Sequence, residues 1–387
     1  MDFELTEEQK LMKANAREFM EREIIPIVND YERRYRPLPK DVSLDLMRKI
    51  SPLGYTGGIV PPEYGGGGMN FFSYGVLLEE LSRAWGSLAI MTFVDHAMAM
   101  QLSLNGNEEQ KRKYLHRLVS GDLIGCACLT EPNAGSSNRE METTIIADGD
   151  YYIVNGTKTW ITNGGVGDLC VVIGYSDKSK GILGISQILV DRTESPFEVR
   201  ELPKLGFRSC PTAELTFSDC RVPKKNLFIP EGEGYGSIVG LLHGGRSCIG
   251  ICSVGLAQAA IDDAIKYALE RKQFGRPIAK FQLVQQMLAE MVIELEAVRL
   301  LAYKTMYLID KEQPCDKEAS GVKFLASETA VRICSKAMEI LGAYGISEEY
   351  PLERYFRDAR TYWPPDGTNQ IQRLIVGREI LGLPAFV

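Results

Sequence analysis

The stretch Tyr152-Ile153-Val154-Asn155-Gly156-Thr157-Lys158-Thr159-Trp160-Ile161-Thr162 decides how the chain is divided. β-Branched and aromatic residues flank an Asn-Gly pair. That pair accepts the positive φ values of a type I′ turn, so the pattern predicts a β-hairpin. Residues 169–174, 185–190 and 213–217 are further strand-like runs between turn residues. On both sides of this segment the apolar period is helical. Upstream, Thr6-Glu7-Glu8-Gln9 fits a capping box. Met12, Ala16, Phe19, Met20 and Ile24 then form one stripe, and Pro26 closes or kinks the helix. A turn-rich stretch at 61–68 precedes helical patterns over 72–119. From Gly236 onward Ile261, Ala264, Ile265, Ala268 and Leu269 share one face, as do Leu288, Met291, Val292 and Leu295. Long amphipathic helices of this kind pack as a bundle. The expected division is a helical domain over 1–120, a β domain over 121–230 and a helical domain over 231–387.

Composition excludes several classes. With 387 residues the chain has room for two or three domains. Its apolar share of 45% and charged share of 25% are those of a globular protein, so a disordered or collagen-like chain is excluded. The net charge of −7 speaks against general nucleic-acid binding, which needs clustered cations. No uninterrupted apolar run reaches about 18 residues, so no membrane span is expected. The acidic start, Met1-Asp2-Phe3-Glu4, lacks the apolar core of a secretory signal. Nine cysteines without any C-x-x-C pair are expected to be buried free thiols in a reducing cytoplasm. Three histidines, His96, His116 and His243, are too few for a histidine-rich metal site, and no metal is expected. Gly232-Glu233-Gly234-Tyr235-Gly236 lacks the dinucleotide-binding spacing and reads as a loop between domains.

Four longer strings carry the chemistry: Cys128-Leu129-Thr130-Glu131-Pro132-Asn133-Ala134-Gly135-Ser136-Ser137, then 155–163, then Tyr267-Ala268-Leu269-Glu270-Arg271-Lys272-Gln273-Phe274-Gly275-Arg276-Pro277-Ile278, then Asp366-Gly367-Thr368-Asn369-Gln370-Ile371-Gln372-Arg373. In this order and spacing they resemble the acyl-CoA dehydrogenase family of flavoproteins, over essentially the whole chain. The resemblance implies a multidomain α+β fold: an N-terminal helical domain, a central β-barrel-like domain and a C-terminal four-helix bundle. It implies FAD, a homotetramer, an acyl-CoA substrate and an electron-transferring flavoprotein as acceptor. It places the flavin ring near Leu129, Thr130, Ser136, Trp160 and Thr162. Hydroxyls and backbone N–H groups suit its polar edge, and a Trp covers a ring face. Arg271, Gln273 and Phe274 match a segment that reaches the diphosphate of a neighbouring subunit's FAD, with Gln282, Glu339 and Gly342 on the same part of the cofactor. Thr368 and Gln370 would close over it. Ser136, His243, Arg246 and Gly367 match substrate contacts.

Two departures from the family pattern matter. The usual Tyr-Glu-Gly-Thr string, whose Glu is the catalytic base, reads Trp363-Pro364-Pro365-Asp366-Gly367-Thr368 here. Asp is one methylene shorter, a misplacement that can cost about 100-fold in rate unless the loop has moved. Two prolines restrict φ and can reset that loop. Some branches carry the base at the position of Gly245, which glycine cannot supply. The second departure is Asp95, on the helix lining the acyl end of the pocket, with His96 as an expected partner. A carboxylate is costly there unless paired or functional. Asp366 and Asp95 are the expected catalytic pair, facing a short cavity. The branch this most resembles acts on alicyclic thioesters, cyclohexane- or cyclohexene-carboxyl-CoA, in anaerobic aromatic degradation. Dicarboxylyl-CoA members resemble the C-terminal Leu383-Pro384-Ala385-Phe386 but use an Arg where Ala89 stands here. The competing readings are a short or branched or dicarboxylyl-CoA dehydrogenase, an oxidase resembling nitroalkane oxidase, and a flavoprotein scaffold without turnover.

Overall fold

The computed structural model describes residues 4–383. Met1–Phe3 and the Pro384-Ala385-Phe386 part of the C-terminal string lie outside the described residues. Helices run from Glu7 to Val119, strands from Gly125 to Ile229, and helices again from Gly234 to Leu381. The capping box forms: Thr6 Oγ1 accepts from Gln9 N at 3.2 Å, and Thr6 N donates to Gln9 Oε1 at 3.0 Å. Pro26 does not end the helix. A π-turn at Met20–Ile24 joins helix Glu7–Phe19 to helix Ile25–Arg34, where Pro26 takes a first-turn position that needs no N–H.

The middle region holds β1 Gly125–Cys128, β2 Thr144–Asp148, β3 Tyr151–Thr162, β4 Leu169–Tyr175, β5 Ile185–Asp191, β6 Glu198–Glu201, β7 Thr212–Pro223 and β8 Leu227–Ile229. Their order is β6-β7-β3-β2-β4-β5-β8, with β1 parallel on β4. The sheet is an open path, so the barrel-like description holds only loosely. The expected hairpin at Asn155-Gly156 is absent: β3 runs straight through it. The reversal lies earlier, where Asp148 pairs with Tyr151 across Gly149-Asp150 and Gly149 has φ 56°. Asn155-Gly156 marks instead a register shift between β3 and β7. Gly156 has φ 147°, and a Cβ there would meet Thr143 Oγ1 at 2.3 Å. An Asp-Gly turn and an Asn-Gly bulge carry the same composition, and only the strand partner separates them.

The two helical ends share one core, a buried cluster running from Ala16 to Tyr362. Helix Gly234–Glu270 passes through its middle. This helix is long and apolar enough to cross a membrane, but most of its apolar stretch is buried in the fold. Its glycines clear its neighbours. A Cβ at Gly255 would meet Glu79 O of helix Phe71–Ala84 at 2.2 Å, and one at Gly250 would meet Val322 of helix Asp316–Leu341 at 3.0 Å. Glu79 is buried where the ends meet. It accepts from Lys13 at 3.0 Å, Arg299 at 3.1 Å and Tyr303 Oη at 2.6 Å. Removing one side of a buried ion network strands the other charges. Glu79→Ala is therefore expected to destabilise the FAD-loaded protein by roughly 3 kcal/mol, read as a fall in thermal midpoint.

Candidate active site

The Leu129-Thr130 loop follows β1 and is held by a buried lysine. Lys158 of β3, fully buried, donates to Glu131 Oε1 at 2.7 Å and to Leu129 O at 3.0 Å. Glu131 also accepts from the N–H groups of Glu142 at 2.6 Å and Thr143 at 3.0 Å. Burial pushes the Glu131 carboxyl up, and the Lys158 ammonium outweighs it, leaving the acid below its usual range. Thr159 N donates to Thr130 O at 2.9 Å, so the loop lies along β3. A second register shift follows, between Lys158 and Ile161. There Trp160 takes φ 60°, a conformation costly for a bulky residue, and stands 58% exposed. The bulge turns an indole outward beside half-buried Leu129, Thr130 and Thr162, a surface shaped for a flat partner. Ser136 is exposed further along the loop. Neither Lys158 nor Glu131 is assigned a role by the sequence; an acid and a base placed inside the quoted strings were the available signal.

The loop carrying Asp366 lies over helix Gly234–Glu270. Asp366 has φ 54°, which Asp tolerates better than most residues. Its side chain turns inward, and Oδ2 is buried without a hydrogen-bond partner among the described residues. A Cβ at Gly245 would meet that oxygen at 2.5 Å. The missing side chain at 245 and the carboxylate at 366 therefore occupy complementary space. Burial raises the Asp366 carboxyl above its ordinary range, and the cations Lys323 and Arg246 offset only part of this. Gln372 Nε2 donates to Asp366 O at 2.9 Å and Gly367 O at 3.0 Å. Trp363 lies under the Arg360 guanidinium at 3.5 Å, and its Nε1 is unpartnered among the described residues. Arg246 is 6% exposed, with Nε unpartnered likewise. His243 Nε2 is 2.8 Å from Asp316 Oδ1.

Asp95 is fully buried, but His96 is not its partner. Asp95 Oδ1 accepts from Gly125 N at 2.7 Å, and Oδ2 has no partner among the described residues. Burial drives this carboxyl well up, and the N–H of Gly125 draws it back only in part. His96 faces elsewhere along the helix. It accepts from Ile59 N at 3.2 Å and stacks on Tyr74 with ring centres 3.8 Å apart. Burial lowers its pKa to about 3, so the imidazole is neutral and cannot pair as a cation. Adjacent residues on a helix point about 100° apart, which is why the sequence neighbour was a poor guess.

Of the remaining positions, Thr368 and Gln370 adjoin the Asp366 loop, and the others lie toward the opposite ends of helices Gly234–Glu270 and Asp316–Leu341. Gln273, Phe274 and Gln282 line one open groove of ≈ 510 Å³, with Phe274 92% exposed. The Arg271 guanidinium lies 5.9 Å from the Tyr344 ring, which brings this segment beside the turn Gly342–Ile346. Gly342 has φ 60° with open space around it, and Glu339 is exposed nearby in sequence. Thr368 caps helix Asn369–Leu381 through Ile371 N, and Gln370 is exposed. All nine cysteines are free and buried. Cys126, Cys128 and Cys170, which look scattered in sequence, meet with sulfurs within 4.8 Å because β1 pairs in parallel with β4. Their neighbours are apolar, and all three thiols are shifted well up.

Models of the N-terminal, middle and C-terminal domains of acyl-CoA dehydrogenase match residues 6–122, 126–220 and 232–381. The chain belongs to the acyl-CoA dehydrogenase family. It is 37% identical to a short-chain specific acyl-CoA dehydrogenase of Clostridium acetobutylicum, over 98% of this chain and 100% of the other. It is 38% identical to the caffeyl-CoA reductase-Etf complex subunit CarC of Acetobacterium woodii, over 97% and 99%. A glutaryl-CoA dehydrogenase of Mycobacterium smegmatis in complex with FADH2 superposes with a TM-score of 0.92 at 30% identity, over 99% of this chain and 97% of that one. The protein is thus an FAD-dependent oxidoreductase acting on a CH–CH bond of an acyl-CoA thioester. The residues present fit the cofactor: an outward indole and hydroxyls at one end, an exposed Arg271 beside an open glycine turn at the other, and buried unpartnered polar atoms between the helices. Since glycine is a poor helix residue, Gly245→Ala should fold and retain FAD. It should also displace the Asp366 carboxylate, lowering kcat on the order of 100-fold in steady-state assays.

Proposed function

We propose that this acyl-CoA dehydrogenase oxidises a short or alicyclic thioester, cyclohexane-1-carboxyl-CoA or cyclohex-1-ene-1-carboxyl-CoA, with Asp366 as the α-proton base. The observation that carries this reading is two aspartates, the half-buried Asp366 and the fully buried Asp95, each with one buried carboxylate oxygen lacking a partner among the described residues. Asp95 stands on helix Gly86–Asn105 and Asp366 against helix Gly234–Glu270, and both helices contribute to one buried core. Two acids around one compact ligand suit a ring better than a long chain. Ala89 is buried and offers no cation for a distal carboxylate, which disfavours glutaryl-CoA.

The FAD, when bound, supplies a hydride acceptor for the β-carbon. The chain's own residues do the rest. The α-proton passes to Asp366 Oδ2, the C–H electron pair forms the new C=C bond, and the β-hydride departs. Burial makes Asp366 a stronger base once deprotonated and keeps water from the site. Asp95 takes a proton from a remote ring carbon when the substrate is already a cyclohexene, giving a 1,4-elimination. Arg246, His243 and Ser136 are the residues we assign to the CoA portion. Electrons then pass to an electron-transferring flavoprotein. Outward apolar residues on the long helices, Leu269, Leu283, Ile293 and Leu300, favour a homotetramer.

Anaerobic bleaching of the flavin against straight, branched, dicarboxylic and cyclic thioesters tests the substrate class. Asp366→Asn is expected to abolish bleaching, by about 1000-fold or more, on every saturated thioester. Asp95→Asn is expected to spare the saturated ring and fail on the cyclohexene. Full activity in both variants sinks both roles, and peroxide formed from a nitroalkane without CoA would favour an oxidase. The acid limb of kcat should lie above the ordinary carboxylate range, because Asp366 must lose its proton to act and its pKa is raised. A limb at the usual carboxylate pKa overturns that assignment.

A further inference from the structure

Lys323 is fully buried on helix Asp316–Leu341, and sequence reading gave it no role. All three protons of its ammonium are spent on the loop that carries Asp366. It donates to Trp363 O, to Gly367 O at 2.9 Å and to Asn369 Oδ1 at 2.9 Å. These acceptors flank the Asp366 segment: one before Pro364-Pro365, one after the aspartate. The prolines have no N–H groups, so that half of the loop cannot tie itself down through its own donors. Gln372 holds the middle from the opposite side, on Asp366 O and Gly367 O. Asn369 is fixed in turn by donating to Ser327 Oγ at 3.0 Å, one turn along from Lys323.

The three acceptors of Lys323 are neutral. A buried cation without a carboxylate in contact is costly unless an anion lies close by. The nearby anion is Asp366, whose charge favours the protonated lysine; Glu328 adds to it and Arg246 opposes it. Toward Asp366 itself the charged groups are Lys323 from helix Asp316–Leu341 and Arg246 from helix Gly234–Glu270, with the Cys248 thiol also in range. Burial lowers the Lys323 ammonium to about 7.

We propose that Lys323 is a positioning residue for the base: its ammonium clamps the two ends of the 363–367 loop, sets the reach of the short Asp366 side chain and holds its carboxylate in the ionised form. This rests on Asp366 being the base. It accounts for the Asp-for-Glu departure, since a shorter acid needs a loop fixed in one place. The field of the cation also offsets part of the burial that would otherwise keep Asp366 protonated.

The test uses the FAD-loaded enzyme with Lys323→Gln, Lys323→Arg and Asp366→Asn, read by kcat, KM and the pH profile. Lys323→Gln keeps donors but loses the charge. Its kcat is expected to fall about 10–100-fold with KM within about threefold. Its acid limb is expected to rise by about one pH unit, the scale on which a nearby cation shifts a carboxylate. Lys323→Arg keeps the charge and is expected to lose kcat while leaving the limb in place. A Gln variant with an unmoved limb overturns the proposal. Should only the Arg variant load FAD, an unaltered kcat in it does the same. If neither loads FAD, Lys323 serves the fold alone and the proposal falls. An Asp366→Asn enzyme that still turns over sinks the base assignment itself, whereas an inactive one beside a Gln variant with an unmoved limb sinks only the role of Lys323.

Discussion

A carboxylate oxygen removed from water and given no donor is expensive, by several kcal/mol for an ionised group. Asp366 Oδ2 is such an atom, and the C-terminal region is arranged so that it stays where it is. The backbone at 366 is left-handed, the helix beneath lacks a side chain at Gly245, and two prolines precede the turn. Each of these alone would be a local defect. Together they set the carboxylate against the helix, with Oδ2 unpartnered among the described residues. The same arrangement makes a side chain at 245 and the carboxylate at 366 alternatives. The Cβ direction at 245 points at the carboxylate of 366, so both addresses lead to one point in space.

What was legible in the sequence divides along a physical line. Features set by local backbone chemistry were readable: the Thr6 capping box, the strands at β4, β5 and β7, and the long helices of the C-terminal region. Features set by which strand or helix lies opposite were not. Asn155-Gly156 has the composition of a turn, and it becomes a bulge because Thr143 packs against Gly156 and β7 continues alongside. The Asp148-Gly149 pair, the real reversal, was no weaker a signal. Cys126, Cys128 and Cys170 meet only because of a parallel register that spacing does not encode. Asp95 and His96 are neighbours in sequence but point to different partners, Gly125 and Ile59. The family strings pointed to the candidate site; of the residues that hold its loops, Lys158, Glu131, Asn369 and Gln372 lay inside those strings without being singled out, and Lys323 lay outside them all.

Two buried lysines bracket the site, and their difference is instructive. Lys158 fixes the Leu129 loop and Lys323 fixes the Asp366 loop, each through backbone carbonyls. Ammonium groups suit this work because they offer donors in several directions without a preferred plane. Lys158, however, has Glu131 in contact at 2.7 Å, so the pair is close to neutral and its field cancels within a short distance. Lys323 has only neutral acceptors. Its charge is therefore felt across the loop, where the interior screens poorly. A lysine compensated on the spot can only hold a shape. A lysine compensated through space by the proposed base also bears on that base's proton affinity, because the stabilisation of the cation by the anion and of the anion by the cation are one and the same interaction. The chain thus uses one side-chain type for two tasks, and the presence or absence of a contacting carboxylate decides which.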